Sequence, residues 1–269
     1  MQNEHNHRQS NSCSGGGGGK PSKTLNKNSW AVIKQVADAS QGPNYWSIGD
    51  TKQVHLSGTA GGATRNNDYW VYIIGFDHNK SKEGIGIAFQ GFKTAKSGGV
   101  DIALVGTNYG TTASTTGFVM NQSKINSGGW NGSYAYTTLC PQIKAILPSD
   151  LQTVIRTTTL YTDNTGNAST AASTVTTNSN EVYYLAQYEV FGFVQGANDN
   201  EKAQQAQYDY YKAGNSKVKY RSDSTSNAAY WWLRSPKNTT VAFCIVGIEA
   251  NPLGGNANYP FAAAPAFKV

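Results

Sequence analysis

The chain has 269 residues, a net charge of +6, 14% charged and 38% hydrophobic residues, and 29 glycines. Lys and Arg are spread singly, which excludes a phosphate-tracking stripe; the one local cluster, Lys212, Lys217, Lys219 and Arg221, reads as a solvated helix end and loop. No apolar run approaches the ~18 residues of a membrane span, and MQNEHNHRQS carries no apolar signal core, so neither nucleic acid nor a membrane is an expected partner.

Residues 1–22, rich in glycine, read as a flexible tether, and 23–269 as one domain. Glycines precede Lys20, but Ser14 and Pro21 stand where a phosphate loop needs Gly and Ser or Thr. Ser29 should cap a helix from Trp30 to Ala39, with Trp30, Ile33, Val36 and Ala37 on one face. Gly42-Pro43 stops it. Tyr45 to Leu56 reads as a hairpin or bent strand across Gly49-Asp50, with Asp50 a turn residue. Tyr69 to Phe76 is the strongest strand, its continuous apolar run placing it centrally. Strands are expected near Ile85–Phe92 and Asp101–Val105.

Ser133–Leu139 and Pro141–Ile146 read as short helices broken at Pro141, with another start at Pro148–Leu151 and a strand over Thr153–Leu160. Tyr161 to Asn180 reads as a solvated polar loop. Its Asp163-Asn164-Thr165-Gly166-Asn167 lacks the closing Glu of a calcium loop. Glu181 to Val190 is strand or buried helix, Asp199 to Ala213 a helix, and Arg221 to Asn227 a loop. The element order predicts one α+β domain rather than βαβ units.

Evidence for catalysis is lacking in the pattern. His5 and His7 fall in the tether, and His55 and His78 show no paired ligand spacing. No GxSxG elbow occurs. Cys13, Cys140 and Cys244 form no CxxC, and Cys140 and Cys244 sit in apolar contexts expected to bury free thiols. No cofactor or metal is expected. The cassette Tyr230-Trp231-Trp232-Leu233-Arg234-Ser235-Pro236 reads as scaffold. One Trp should pack inward while the other lines a second surface, and Arg234 should stack on an indole or pair with a buried carboxylate.

YWWLRSP, closed by APAF, resembles the C-terminal signature of a domain family of Firmicutes and their phages, chiefly tail-associated. LNKNSWAVIKQVADA, YWSIGDTKQVHLSGT, WVYIIGFDHN, AILPSDLQTVI, TLYTDNTGN and QYDYYKAGNSKVKYR look like other segments of it, so the resemblance spans roughly 24–269. It implies a C-type-lectin-like α+β fold with paired terminal strands and short helices. That architecture is shared with the formylglycine-generating enzyme and with variable proteins of diversity-generating retroelements. Segment 237–262 resembles a cassette diversified by adenine mutation. Phe243, Cys244, Val246 and Pro265 match scaffold, as do Trp231, Trp232 and Arg234. The resemblance implies ligand contact at Asn238, Thr239, Thr240, Gly247, Asn251, Leu253, Asn256, Asn258, Tyr259, Pro260 and Phe261, all types reachable from AAC or AAT by changing adenines. Lys237 and Glu249 are not reachable. Family members commonly carry glycine where Ala250 and Ala262 stand.

The expected function is receptor binding or adhesion by a phage tail-tip module on the virion. Its ligand would be a bacterial cell-surface protein or glycan, with other tail proteins, or further copies in a homotrimer, as additional partners. The alternatives are a non-diversified lectin-like module of a bacterial surface and, least favoured, an enzyme on the formylglycine-generating scaffold using Cys140 and Cys244.

Overall fold

The computed structural model describes residues 20–269. The tether, apart from residues 20–22, lies outside the described residues together with His5, His7 and Cys13. Ser22 already belongs to the domain: its carbonyl accepts from the Trp46 indole and the Asn28 amide, both at 3.0 Å.

Helix α1 (Trp30–Asp38) forms as expected. Ser29 accepts from the Val32 N–H at 3.3 Å, and Trp30, Ile33, Val36 and Ala37 are buried. Gly42-Pro43 does not merely stop it but opens a further turn, α2 (Gly42–Tyr45). Strands β1 (Thr51–Ala60) and β2 (Ala63–Phe76) form a long hairpin. Its two-residue turn is Gly61-Gly62, both at positive φ (58° and 76°), where other residues would be strained. β2 lies between β1 and β3 (Ile87–Lys93), as its apolar run requires. Asp50 is a turn residue, its carboxylate accepting from the Ser47 N–H.

The main sheet has eight strands. It continues from β3 through β4 (Asp101–Ala103) to β8 (Lys219–Arg221) and β9 (Ser224–Ala229). β13 (Ala266–Lys268) pairs on one side with β3 and on the other with β7 (Val182–Tyr183). Strands from both ends of the domain are thus joined in one sheet. Trp30, Phe89 and Phe267 lock α1 onto that junction, with ring centroids 5.3 to 6.1 Å apart. β5 (Thr158–Asp163) and β6 (Val175–Asn180) form a separate hairpin; β10 (Trp231–Pro236), β11 (Ala242–Val246) and β12 (Pro252–Asn256) form a three-stranded antiparallel sheet.

Several local expectations are corrected. Residues 161–180 are not a solvated loop: they finish β5, turn, and return as β6. The strand expected from Thr153 starts only at Thr158, because Ser149–Gln152 forms α5 and the chain turns after it. Ala135–Leu139 is a π-type turn running directly into α4 (Cys140–Ala145), so Pro141 does not separate two helices; it sits in the first turn, where no N–H is required. The helix expected over Asp199–Ala213 exists only as a 3-10 turn at Asp199–Ala203 and a short helix at Asp209–Lys212. Buried Glu201, Tyr208 and Tyr211 there hold tertiary partners that override propensity. Arg221 to Asn227 forms the β8–β9 hairpin rather than a loop. Lys219 is not solvated but fully buried, with Nζ 2.8 Å from Asp101.

Candidate functional site

β10 is the floor of the site. Trp231 and Trp232 are both fully buried, so neither lines a second surface. Each indole N–H is satisfied by a carbonyl, Lys217 for Trp231 (3.0 Å) and Phe118 for Trp232 (2.7 Å). Arg234, also fully buried, pairs bidentately with Glu189 (2.6 and 2.5 Å). Its remaining N–H groups reach Thr162 Oγ1, Tyr184 O and Tyr161 O, which satisfies the five donors of a guanidinium. Burial opposes its charge, yet Glu189 holds the guanidinium above its ordinary pKa. Ser235 donates to Glu201 at 2.5 Å, and burial pushes that carboxyl up to about 7.

Beside this network, ligand-type atoms of His78, Glu83 and Glu189 lie within 4.8 Å of one another, the metal-type cluster found among the described residues. His78 comes from the turn after β2 and Glu83 from α3 (Lys80–Glu83), a juxtaposition their separation in sequence does not advertise. Arg234 already neutralises Glu189, and Lys268 Nζ lies 3.6 Å from Glu83. These cations make the cluster a poor cation site. Burial pushes His78 down to about 4.

β11 packs onto β10 and is buried throughout; Phe243, Cys244 and Val246 are fully buried. Cys140 and Cys244 are free and buried, and burial pushes both thiols up. Pro265 is buried next to β13.

The candidate contact residues divide by position. Asn238, Thr239 and Thr240, in the β10–β11 turn, are exposed, as are Asn251 and Leu253 (38%) on the β11–β12 hairpin. Ile248, at 41% exposure, adds an apolar side chain to that hairpin. Asn256, Asn258 and Tyr259 are half-buried. Gly247, Pro260 and Phe261 are buried, which corrects the expectation that all of these positions project outward. Phe261 is core, packed on Trp232, Tyr230 and Tyr259 with centroids 5.2 to 5.7 Å away. A Cβ at Gly247 would stand 2.1 Å from Asn251 Oδ1, so a side chain there must displace a neighbouring candidate.

The exposed turn is held from beneath. Asn126, fully buried, donates to the carbonyls of Lys237, Thr239 and Ala242 at 2.7 to 3.1 Å. Asn238 N–H reaches Gly196 O, and Ala168 N–H reaches Thr239 O. Backbone position is thereby fixed largely from outside the turn; of the three exposed side chains, only Thr239 adds a long contact, from the Val241 N–H at 3.4 Å. On the other flank, Ser114 N–H bonds Asn258 O and Gly110 N–H bonds Pro260 O. Loop 107–116 is thus tied to the C-terminal segment, and between them lies a pocket of about 270 Å³. Sequence reasoning did not mark this loop. A larger cleft of about 530 Å³ opens between α4 and residues 179–182, bordered by Tyr136, Cys140, Lys144 and Glu181.

Fold and site together define an α+β domain, mostly β with short helices, that carries an exposed turn and hairpin on a buried scaffold. The chain belongs to the family described as Domain of unknown function (DUF6273), which matches residues 109–269. Those residues include loop 109–116, the Arg234 network and the whole of segment 237–262. Neither a search of curated proteins nor a search of solved structures returns a match.

Proposed function

We propose that this protein is a ligand-binding adhesion module of C-type-lectin-like type. Its contact face is made by Asn238, Thr239 and Thr240, by Asn251 and Leu253, and at the margin by Asn256, Asn258 and Tyr259. The observation that carries the reading is the segregation within 237–262: positions matched as scaffold are fully buried, while the hairpin tip and the β10–β11 turn, the latter held by Asn126, are exposed. Side chains on such a rim can change with little effect on stability. Uncharged polar residues beside an aromatic suit adaptable recognition. The ligand would be a bacterial cell-surface protein or glycan and the setting a phage tail tip, with the segment diversified by a retroelement.

A non-diversified lectin-like module of a bacterial surface is the second reading. The enzyme reading is disfavoured because burial holds both Cys140 and Cys244 as thiols rather than nucleophilic thiolates.

Whole-cell binding tests the face. The full chain is compared with a variant carrying serine at Asn238, Thr239, Thr240, Asn251 and Leu253, over a panel of Firmicutes. Loss of binding with an unchanged fold is expected, and equal binding would sink the face. A reverse transcriptase beside the gene, with a template repeat differing at adenines, tests diversification separately.

A further inference from the structure

The pocket between loop 107–116 and the C-terminal segment has a chemistry of its own. It is lined by Asn108, Tyr109, Gly110, Thr112, Ala113, Ser114 and Pro260, and no charged side chain is among them. Its volume, about 270 Å³, sits just under the ~300 Å³ at which pockets begin to hold drug-sized ligands. It therefore admits a single ring with its substituents.

The walls are pre-set. The Asn108 carboxamide donates to Thr116 Oγ1 at 2.9 Å and to Ser114 Oγ at 3.3 Å. Ser114 in turn donates to Thr116 O at 3.0 Å. This fixes the amide plane, and among the described residues nothing donates to Asn108 Oδ1. The Thr112 hydroxyl is exposed and has no protein partner among the described residues. Tyr109 is anchored by its hydroxyl, which accepts from the Tyr230 N–H at 2.8 Å, and by the Arg221 guanidinium 4.5 Å from its ring centroid. The pocket thus offers the Asn108 amide oxygen as an acceptor and the Thr112 hydroxyl as donor or acceptor, next to an aromatic ring and the apolar edge of Pro260. Hydroxyl-rich, uncharged rings have the complementary surface: polar rims for the amide and hydroxyls, C–H faces for Tyr109 and Pro260. A phosphate or carboxylate finds no cation in the lining, and a purely apolar ligand would bury the amide and hydroxyls unpaired.

We infer that this pocket is a subsite for one neutral sugar ring, placed against the contact face so that Pro260 forms one of its walls. The inference rests on the adhesion reading and narrows its ligand to a neutral glycan. It also gives buried Pro260 a role: a change there alters the shape of the pocket rather than the outer rim.

The test is saturation-transfer NMR on the full chain with the methyl glycosides of glucose, galactose, rhamnose and N-acetylglucosamine, and N-acetylneuraminic acid as the anionic probe. At least one neutral glycoside should bind, with an affinity on the order of 1 mM suited to so few contacts. The acid should not. Thr112→Trp, at an exposed position whose side chain can turn into the pocket, should weaken binding about tenfold or more. Lys96→Ser, at an exposed position between β3 and β4 outside both the pocket lining and the contact face, should leave it unchanged. Matching amide spectra confirm that both variants are folded. Transfer from no neutral glycoside, from the acid alone, or of equal strength in Thr112→Trp would each overturn the inference. Cell binding lost in the five-serine variant while no glycoside binds would leave the adhesion reading standing without this subsite. Glycoside binding without cell binding would do the reverse.

Discussion

The last forty residues contain two polar regions with opposite rules. Around Arg234, the polar groups are buried and the charged ones are paired: guanidinium to Glu189, with the hydroxyl of Ser235 on Glu201. A few residues on, at Asn238–Thr240 and Asn251–Leu253, polar and apolar side chains stand in solvent while the backbone is tied, by Asn126 beneath the first turn and by the β11–β12 ladder at the second. Both regions are rich in hydrogen bonds. In the first the side chains make them, so identity is fixed. In the second the turn's carbonyls accept them from outside the turn, and the exposed side chains take little part.

The sharpest way to break this contrast is to remove one half of the buried pair. Glu189→Ala or Arg234→Ala should lose about 3–5 kcal/mol in urea denaturation, because the surviving charge is left unpaired in the core. A loss under about 1 kcal/mol would show that water reaches the site. The next effect is one of pH. Glu201 titrates higher in the folded state, at about 7, than the ~4.3 of an unfolded chain. Its contribution is therefore fully present below the unfolded value and is lost as pH rises through about 7. His78 has the opposite sign: held down at about 4, it costs stability as pH falls from the ~6.5 of an unfolded histidine towards about 4. Glu201→Gln should flatten the decline on the alkaline side and leave the acid limb in place. An unaltered profile would remove Glu201 from the account.

A smaller effect belongs to Ala250, which sits at φ 63° in the β11–β12 turn. A side chain in that region costs roughly 1–2 kcal/mol, so Ala250→Gly should raise stability by about 1 kcal/mol, read as a shift in the thermal midpoint. At the bottom of the scale, serine at Asn238, Thr239, Thr240 or Asn251 should change stability by no more than about 0.5 kcal/mol. A larger loss at any of them would mean that the rim is part of the scaffold.

Much of the architecture was legible where side-chain periodicity and caps carry it. Ser29 with the Trp30–Ala37 face, the run from Tyr69 to Phe76, and the buried thiols Cys140 and Cys244 read directly from the pattern. What was not legible depends on partners far away in sequence. Asp199–Ala213 has helical periodicity, yet Glu201 and Tyr208 are held by Ser235 and Tyr183, and the helix gives way. Tyr161–Asn180 looks like a polar loop because Asp163 and Asn180 are polar, but both are buried, Asp163 capping its own turn and Asn180 accepting from the Trp130 indole. The candidate site divided the same way. Exposure at the turns could be read from the surrounding scaffold residues. The burial of Phe261 and Pro260, and the pocket that loop 107–116 builds over them, required the fold.

The seating of β13 bears on the order in which the molecule assembles. Ala266–Lys268 is an interior strand, bonded to Ala88–Gln90 on one side and to Val182 and Tyr183 on the other. During synthesis the sheet stays open until these residues leave the ribosome, and contacts this distant in sequence form slowly. A product broken off anywhere within 237–262 would never close it. Assembly thus acts as a checkpoint: only a chain read through 237–262 and on to Lys268 closes the main sheet.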